Sequence, residues 1–159
     1  MGIPERHSPH IRRAREDDLP EVVRMFAIPD EGNRKDESPA QPLDPCYAAA
    51  LRTMADDPNN GLYVAEVDGR VAGAFQLTFI QHVAYRGGLA LQIENVIVDP
   101  TCRGRGVGDA MMRWAIDRAR ERRCFRVQLT SNKRRTRAHR FYERLGFVAS
   151  HEGMKLALP

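Results

Sequence analysis

The stretch of this chain best suited to bind an anion is Arg103-Gly104-Arg105-Gly106-Val107-Gly108, with three glycines at alternate positions and two arginines among them. An apolar run ends just before it at Val98, and a helical pattern begins at Val107, so it reads as a strand-to-helix turn. Glycine lets the backbone turn sharply and lets an anion approach the amides closely. The helix start adds unpaired N–H groups and the positive end of the helix dipole. The implied chemistry is a cradle for a phosphate or pyrophosphate. Two nucleotide fingerprints are excluded. GxxxxGK[ST] lacks both its Lys and its Ser/Thr here. GxGxxG/A fails in both registers, because Asp109 and Met111 fall where the third small residue belongs.

Other side chains suit proton transfer. Gln92, Glu94 and Asn95 interrupt the otherwise apolar run Leu89–Val98. Burying such groups without partners costs about 1–3 kcal/mol each. Glu94 is therefore either a hydrogen-bonded structural carboxylate or a general base lining a partly desolvated cleft. Tyr142 shares a helix face with Ala138 and Leu145, so its ring reads as a core aromatic, and its hydroxyl is a polar handle that can still reach a cleft. Cys102 lies beside Arg103 near a helix start, which would lower a thiol pKa and makes a covalent route through this cysteine conceivable. No His-plus-carboxylate pair accompanies it, so that route is set aside. His7, His10, His82, His139 and His151 show no metal spacing, nor do Cys46, Cys102 and Cys124, and no metal is expected.

The elements that must position these residues follow from periodicity. His10–Ala14 reads as a first strand. Asp17 or Asp18 caps a helix with apolar positions Leu19, Val22, Val23 and Phe26. Residues 29–45 read as a loop, and Pro45–Ala55 as a second helix. Leu62–Val67, the turn Asp68-Gly69 and Arg70–Ile80 form a hairpin. Leu89–Val98 is a buried central strand. Val107–Arg122 is a helix with Val107, Ala110, Met111, Trp114, Ala115 and Ala119 inward and Asp109, Arg113 and Asp117 outward. Cys124–Leu129 is a strand. The helix bearing Tyr142 stops at Gly146. Phe147–Ser150 and Met154–Leu158 are expected as a closing pair of strands. The fold class is mixed α/β.

Composition narrows the partners. The chain has 159 residues, is 42% hydrophobic and 29% charged, and carries a formal charge of +4. That balance suits one soluble domain spanning 1–159. The charge is unevenly placed. Residues 103–144 hold 14 Lys+Arg against 4 Asp+Glu, while the other 117 residues hold 11 against 17. The basic segment is a site for a polyanion. No apolar run approaches a membrane span, and no secretory signal is visible. Free thiols and the missing signal predict a cytoplasmic protein.

Arg103-x-x-Gly106-x-Gly108 fits the pattern Q/R-x-x-G-x-G/A, and here the chain resembles the GNAT superfamily of N-acetyltransferases. Ala138-His139-Arg140-Phe141-Tyr142-Glu143-Arg144-Leu145-Gly146-Phe147 resembles the family's closing signature. The resemblance covers roughly residues 62–158. It implies a mostly antiparallel central sheet of about six or seven strands flanked by four helices. It implies acetyl-CoA as co-substrate, direct transfer to a primary amine of a small molecule or protein, and a homodimer. It places the coenzyme on the backbone of Val96, Ile97 and Val98 and on Arg103, Gly104, Arg105, Gly106, Val107 and Gly108. It adds Asn132 and a cation such as Arg137 for the ribose phosphate. Glu94 becomes the base and Tyr142 the acid toward the departing thiolate. The stretch Thr130-Ser131-Asn132-Lys133-Arg134 and the tail Ser150–Leu158 are similar to the aminoalkylphosphonate N-acetyltransferases.

The acceptor is less legible. Asp30, Glu31, Asp36, Glu37, Asp44, Asp56 and Asp57 form an acidic stretch that would attract a cationic amine. An anionic aminophosphonate would instead want an Arg, and Arg86 is the candidate. Two alternatives stand beside acetyl transfer: a nucleic-acid-binding regulator using residues 103–144, and a coenzyme-binding protein without catalysis. Phe141 and Tyr142 are committed to a helix face and no nucleic-acid motif is present, so no nucleic acid is expected.

Overall fold

The computed structural model describes residues 8–29 and 37–158. Five strands form one sheet in sequence order: β1 His10–Arg13, β2 Asn60–Val67, β3 Arg70–Gln81, β4 Leu89–Val98 and β5 Arg126–Leu129. The first three pairings are antiparallel and β4–β5 is parallel. The helices are α1 Leu19–Phe26, α2 Pro45–Ala55, the single distorted turn α3 Ala84–Gly87, α4 Val107–Glu121 and α5 Thr136–Arg144. The described sheet is thus smaller than the expected six or seven strands. The expected closing pair is not formed, and every residue from 148 to 158 is exposed. With no apolar surface covered there, nothing offsets the entropy of holding two more strands. The expected loop over 29–45 falls partly on residues 30–36, including Asp30, Glu31 and Asp36, which lie outside the described residues, as does His7.

The sheet has a distinct core on each face. On one face Phe75, Leu77, Leu91 and Ile93 pack under Met111, Met112 and Ala115 of α4. Tyr63, Phe75 and Trp114 form an aromatic group there, with ring centroids 5.0–6.0 Å apart. On the other face Leu62, Val64, Ala74 and Ile97 pack against Val22 and Met25 of α1. Gly73 lets α4 sit this close. A Cβ there would lie 2.7 Å from Met111 Sδ and 2.9 Å from the Ile97 carbonyl oxygen.

One residue decides how β4 serves both faces. Ala74 pairs with Ile97 and Gln76 with Glu94, so the single residue Phe75 opposes both Asn95 and Val96. This is a β-bulge in β4, and Asn95 takes a left-handed φ of 53° to make it. The extra residue reverses the alternation. Leu91 and Ile93 face α4, whereas Ile97 faces α1.

Ion pairs tie the first helix to the sheet. Arg12 of β1 donates to Asp18 at 2.7 and 2.9 Å and to Glu66 of β2 at 3.0 Å. Asp18 precedes α1, but its carboxylate takes these bonds and the Arg15 amide rather than capping α1 as expected. The Arg12 guanidinium holds the buried Asp18 carboxyl below its usual range. A lowered folded-state pKa adds stability above the unfolded value of about 3.9 and loses it as pH falls. Asp18→Asn is therefore expected to cost about 2 kcal/mol at pH 7. In thermal melts its gap from the parent should close between pH 5 and pH 2. A gap that persists at pH 2 would show that the charge is not the source.

Candidate active site

β4 and β5 are paired only from Ala90 opposite Arg126 to Ile93 opposite Leu129. Beyond that, β4 continues through Glu94 to Val98 with no strand beside it on the β5 side among the described residues. β5 itself ends there, just before the bulge in β4, so an opening begins beside Glu94. Val96, Ile97 and Val98 form one wall of the opening, and their side chains join the two cores as expected. Their backbone groups on the open side are available to an extended ligand arm, much as an added strand would use them.

The opening runs directly into the glycine turn. Gly104 and Gly106 have φ values of 73° and 84°. Gly106 is the N-cap of α4, and the first helical bond runs from the Ala110 amide to the Gly106 carbonyl at 3.0 Å. The amides of Val107, Gly108 and Asp109 thus have no acceptor within the helix. Arg103 and Arg105 are exposed on the same turn, and Arg103 Nε donates to the Val98 carbonyl at 3.3 Å. Unpaired amides, a helix N-terminus and two cations fit a pyrophosphate.

α5 closes the site from the other side. Phe141 Cζ lies 3.6 Å from where a Cβ on Gly108 would sit. Arg137 is one helical turn before Phe141 and so shares its face of α5. Tyr142 is buried at 8% exposure, with Phe147 and Phe141 around its ring. Asn132 is built into the turn that starts α5. Its Oδ1 accepts from the Arg134 amide at 3.0 Å, and its carbonyl accepts from the Arg135 amide and meets His139 Nε2.

Glu94 departs from expectation in one respect: it is exposed, not desolvated. The end of β5 at Leu129 leaves it without a strand neighbour on that side, and its contact with Gln92 Nε2 is long at 3.5 Å. It nevertheless stands at the head of a polar row. Asn60, Thr78, Gln92 and Gln128 share one register across β2, β3, β4 and β5. Gln128 donates to Gln92 at 2.8 Å, and Gln76 to Asn60 at 3.0 Å. Arg86 lies at the opposite end of β4 from the turn, exposed, with a φ of 57°. It is not brought to the site.

Three contributors escaped the sequence reading. Asp99 is buried and accepts from the Thr101 hydroxyl and amide and from Arg24 of α1. Thr101 first, and then Arg24, keep its carboxyl below the usual range. This ties the glycine turn to α1. The bulge at Asn95 was signalled only by the adjacent polar pair Glu94-Asn95, which breaks period-two alternation. Ser131 Oγ is buried without a partner among the described residues, where β5 has just ended. Among those residues no group of three or more His, Cys, Asp and Glu side chains is placed to hold a metal.

Residues 22–147 match the Acetyltransferase (GNAT) family. The chain belongs to that family. A glucosamine 6-phosphate N-acetyltransferase of Trypanosoma brucei brucei is 40% identical over 91 residues, 57% of this chain and 59% of the relative. An aminoalkylphosphonate N-acetyltransferase of Salmonella typhimurium is 33% identical over 95 residues, 60% of this chain and 61% of the relative. The chain thus spans about six-tenths of the length of these two curated relatives. A crystal structure described as a transcriptional regulator from Bacillus halodurans C-125 superposes with a TM-score of 0.89 at 42% identity, covering 94% of this chain and 99% of that one. The GNAT architecture accounts for the order hairpin, central strand, glycine turn and helix.

The turn makes a test of its own geometry. Gly106→Ala places a side chain at a φ of 84° and is expected to cost about 1–2 kcal/mol. Gly108→Ala meets only ordinary contacts at 3.5 and 3.6 Å and should leave stability unchanged or raised. Equal losses in denaturant titrations would contradict this assignment of the two glycines.

Proposed function

We propose that this GNAT protein transfers the acetyl group of acetyl-CoA directly to a primary amine of a small molecule or protein. One observation carries the reading: the opening between β4 and β5 begins beside Glu94 and leads without interruption to the amides of the glycine turn. The coenzyme's pyrophosphate suits the turn formed by Arg103, Gly104, Arg105, Gly106, Val107 and Gly108. Its pantetheine arm suits the open side of Val96, Ile97 and Val98. Arg137 serves the ribose phosphate, and Asn132 borders the same end.

The acceptor nitrogen attacks the thioester carbonyl carbon and must arrive neutral. Glu94 takes the proton that nitrogen loses, through water, since its carboxylate is exposed. Backbone N–H groups of β4 hydrogen-bond the oxygen that gains charge. As the C–S bond breaks, Tyr142 donates its phenolic proton to the thiolate. No step uses Cys102 or a metal. The acceptor meets the polar row Asn60, Thr78, Gln92 and Gln128, which favours a small amine rich in hydrogen-bonding groups. The two curated relatives are named for acceptors that pair an amine with a phosphorus oxyanion, whereas this row supplies hydrogen bonds and no cation for such a group.

A nucleic-acid role for the basic segment draws no support from the geometry. Arg113, Arg118 and Arg120 on α4 are paired with Asp109, Glu121 and Asp117. The free thiols of Cys46, Cys102 and Cys124 suit the cytoplasm. We read the chain as a single domain that works as a homodimer.

Three measurements test the reading. In calorimetry, replacing Gly106 and Gly108 together by Val should abolish acetyl-CoA binding while circular dichroism shows a folded chain. Intact affinity would remove the cradle. In an amine-panel acetylation assay, Glu94→Gln should lower kcat about 100-fold with the KM for acetyl-CoA little changed. Tyr142→Phe keeps the buried ring and should likewise lower kcat. Unchanged turnover would remove either residue from its role.

A further inference from the structure

The polar row Asn60, Thr78, Gln92 and Gln128 does not end the open face of the sheet. Side chains two residues apart on a strand share a face, so Ile80, Ala90 and Arg126 form the next row, toward the turn between β3 and β4. Arg126 is the one cation in these two rows.

Arg126 meets rings where other arginines of this chain meet carboxylates. Its guanidinium carbon lies 5.1 Å from the centre of the Tyr85 ring and 5.0 Å from that of Phe125. Its Nε is buried and has no hydrogen-bond partner among the described residues. His82 Nε2 is in the same condition. The His82 ring stands edge-on to Tyr85 and Phe125, with centroids 5.5 and 5.7 Å away. Tyr85 and Phe125 are themselves stacked at 4.4 Å. Two buried nitrogens without partners thus belong to one aromatic cluster. Folded proteins rarely leave such groups unpaired, so an acceptor from outside the chain belongs there.

Two further features favour an oxyanion. Residues 81–93 and 122–130, which carry the cluster, hold no Asp or Glu, while Arg86, Arg122 and Arg123 add positive charge. The turn is also strained. Tyr85 and Arg86 take left-handed φ values of 54° and 57°. Such backbone is costly for residues other than glycine and collects at ligand sites. Here it holds Tyr85 against Phe125.

The position sets a length. Arg126 pairs with Ala90, four residues before Glu94. At a strand rise of about 3.3 Å per residue, the two positions are roughly 13 Å apart along the sheet. A molecule that spans them has its amine at one end, its charge at the other, and the polar row between.

We propose that Arg126 and His82, walled by Tyr85 and Phe125, form an anion subsite for the far end of the acceptor. The acceptor is then an extended primary amine that ends in a carboxylate or a phosphate. The inference rests on the acetyl-transfer reading above and names its acceptor class.

The test compares octylamine, ω-aminooctanoate and ω-aminooctyl phosphate, with β-alanine and aminoethyl phosphate as short forms. The full chain should use at least one of the long anionic amines with a kcat/KM about 30-fold above that for octylamine. It should also favour that amine over the short form of the same anion. Which long amine is favoured tells carboxylate from phosphate. Arg126→Gln should erase the preference, mainly through KM, with the calorimetric affinity for acetyl-CoA retained. Arg126→Lys keeps the charge without the planar fork and should keep part of the preference. It replaces the first variant if circular dichroism shows that one unfolded. Calorimetry should also find the favoured amine binding the full chain and losing affinity with Arg126→Gln. No preference for either anion, or a preference that survives Arg126→Gln, overturns the subsite. A short form used as well as its long counterpart overturns it too. Binding that depends on Arg126 without acetylation of any of these amines overturns the transfer reading and keeps the subsite.

Discussion

The rest of this structure depends on one extra residue in the central strand. Asn95 and Val96 together occupy the place that Phe75 alone fills on β3. Had β4 kept strict alternation, Ile97 would fall on the same side as Leu91 and Ile93, under α4. The bulge sends it to the α1 side, so one strand feeds two cores in turn. Pairing with β5 stops just before the bulge, after four residues, because β5 ends at Leu129. An unbroken parallel pair would satisfy the backbone of both strands and leave no edge for a ligand arm. The switch from one core to the other is thus the consequence of a register change, and a non-glycine residue in a left-handed conformation is its local cost.

Charge is distributed to match. The segment 103–144 looks uniformly basic in sequence, yet two groups of its cations are differently placed. On the outer face of α4, Arg113, Arg118 and Arg120 are engaged with acids three or four residues away, where exposed pairs are worth little individually. At the turn, Arg103 and Arg105 stand exposed beside amides that the helix leaves without acceptors. The second group sets the field that an anion would meet. Asp99 and Arg24 add a mechanical element, because they fasten the turn to α1, which helps to enclose the opposite face.

Local pattern made most of the elements legible. Pro45–Ala55 and Leu89–Val98 stand where residue periodicity and the prolines put them. The hairpin follows from Asp68-Gly69, both with positive φ. The glycine turn was legible because left-handed backbone positions demand a particular residue type. What escaped depends on pairing between distant segments. Nothing near Asn95 announces that Phe75 will stand opposite it. Asp99 reads as a turn residue until Arg24, 75 positions earlier, is brought beside it. Glu94 was expected to be buried because its neighbours are apolar, but burial is set by β5, which ends just where Glu94 begins to need cover. The closing strands have the right alternation, and alternation alone does not supply a sheet edge on the same chain.

Gly73 carries a consequence for how this sequence can change over time. Its missing side chain is where Met111 of α4 rests, with the Ile97 carbonyl just behind. A shorter residue at 111 would relieve the first contact and not the second, because the second is backbone, just beyond the bulge. Position 73 is therefore closed to single-step and to compensated substitution alike. Any sequence that keeps the bulge and this approach of α4 keeps that restriction with it.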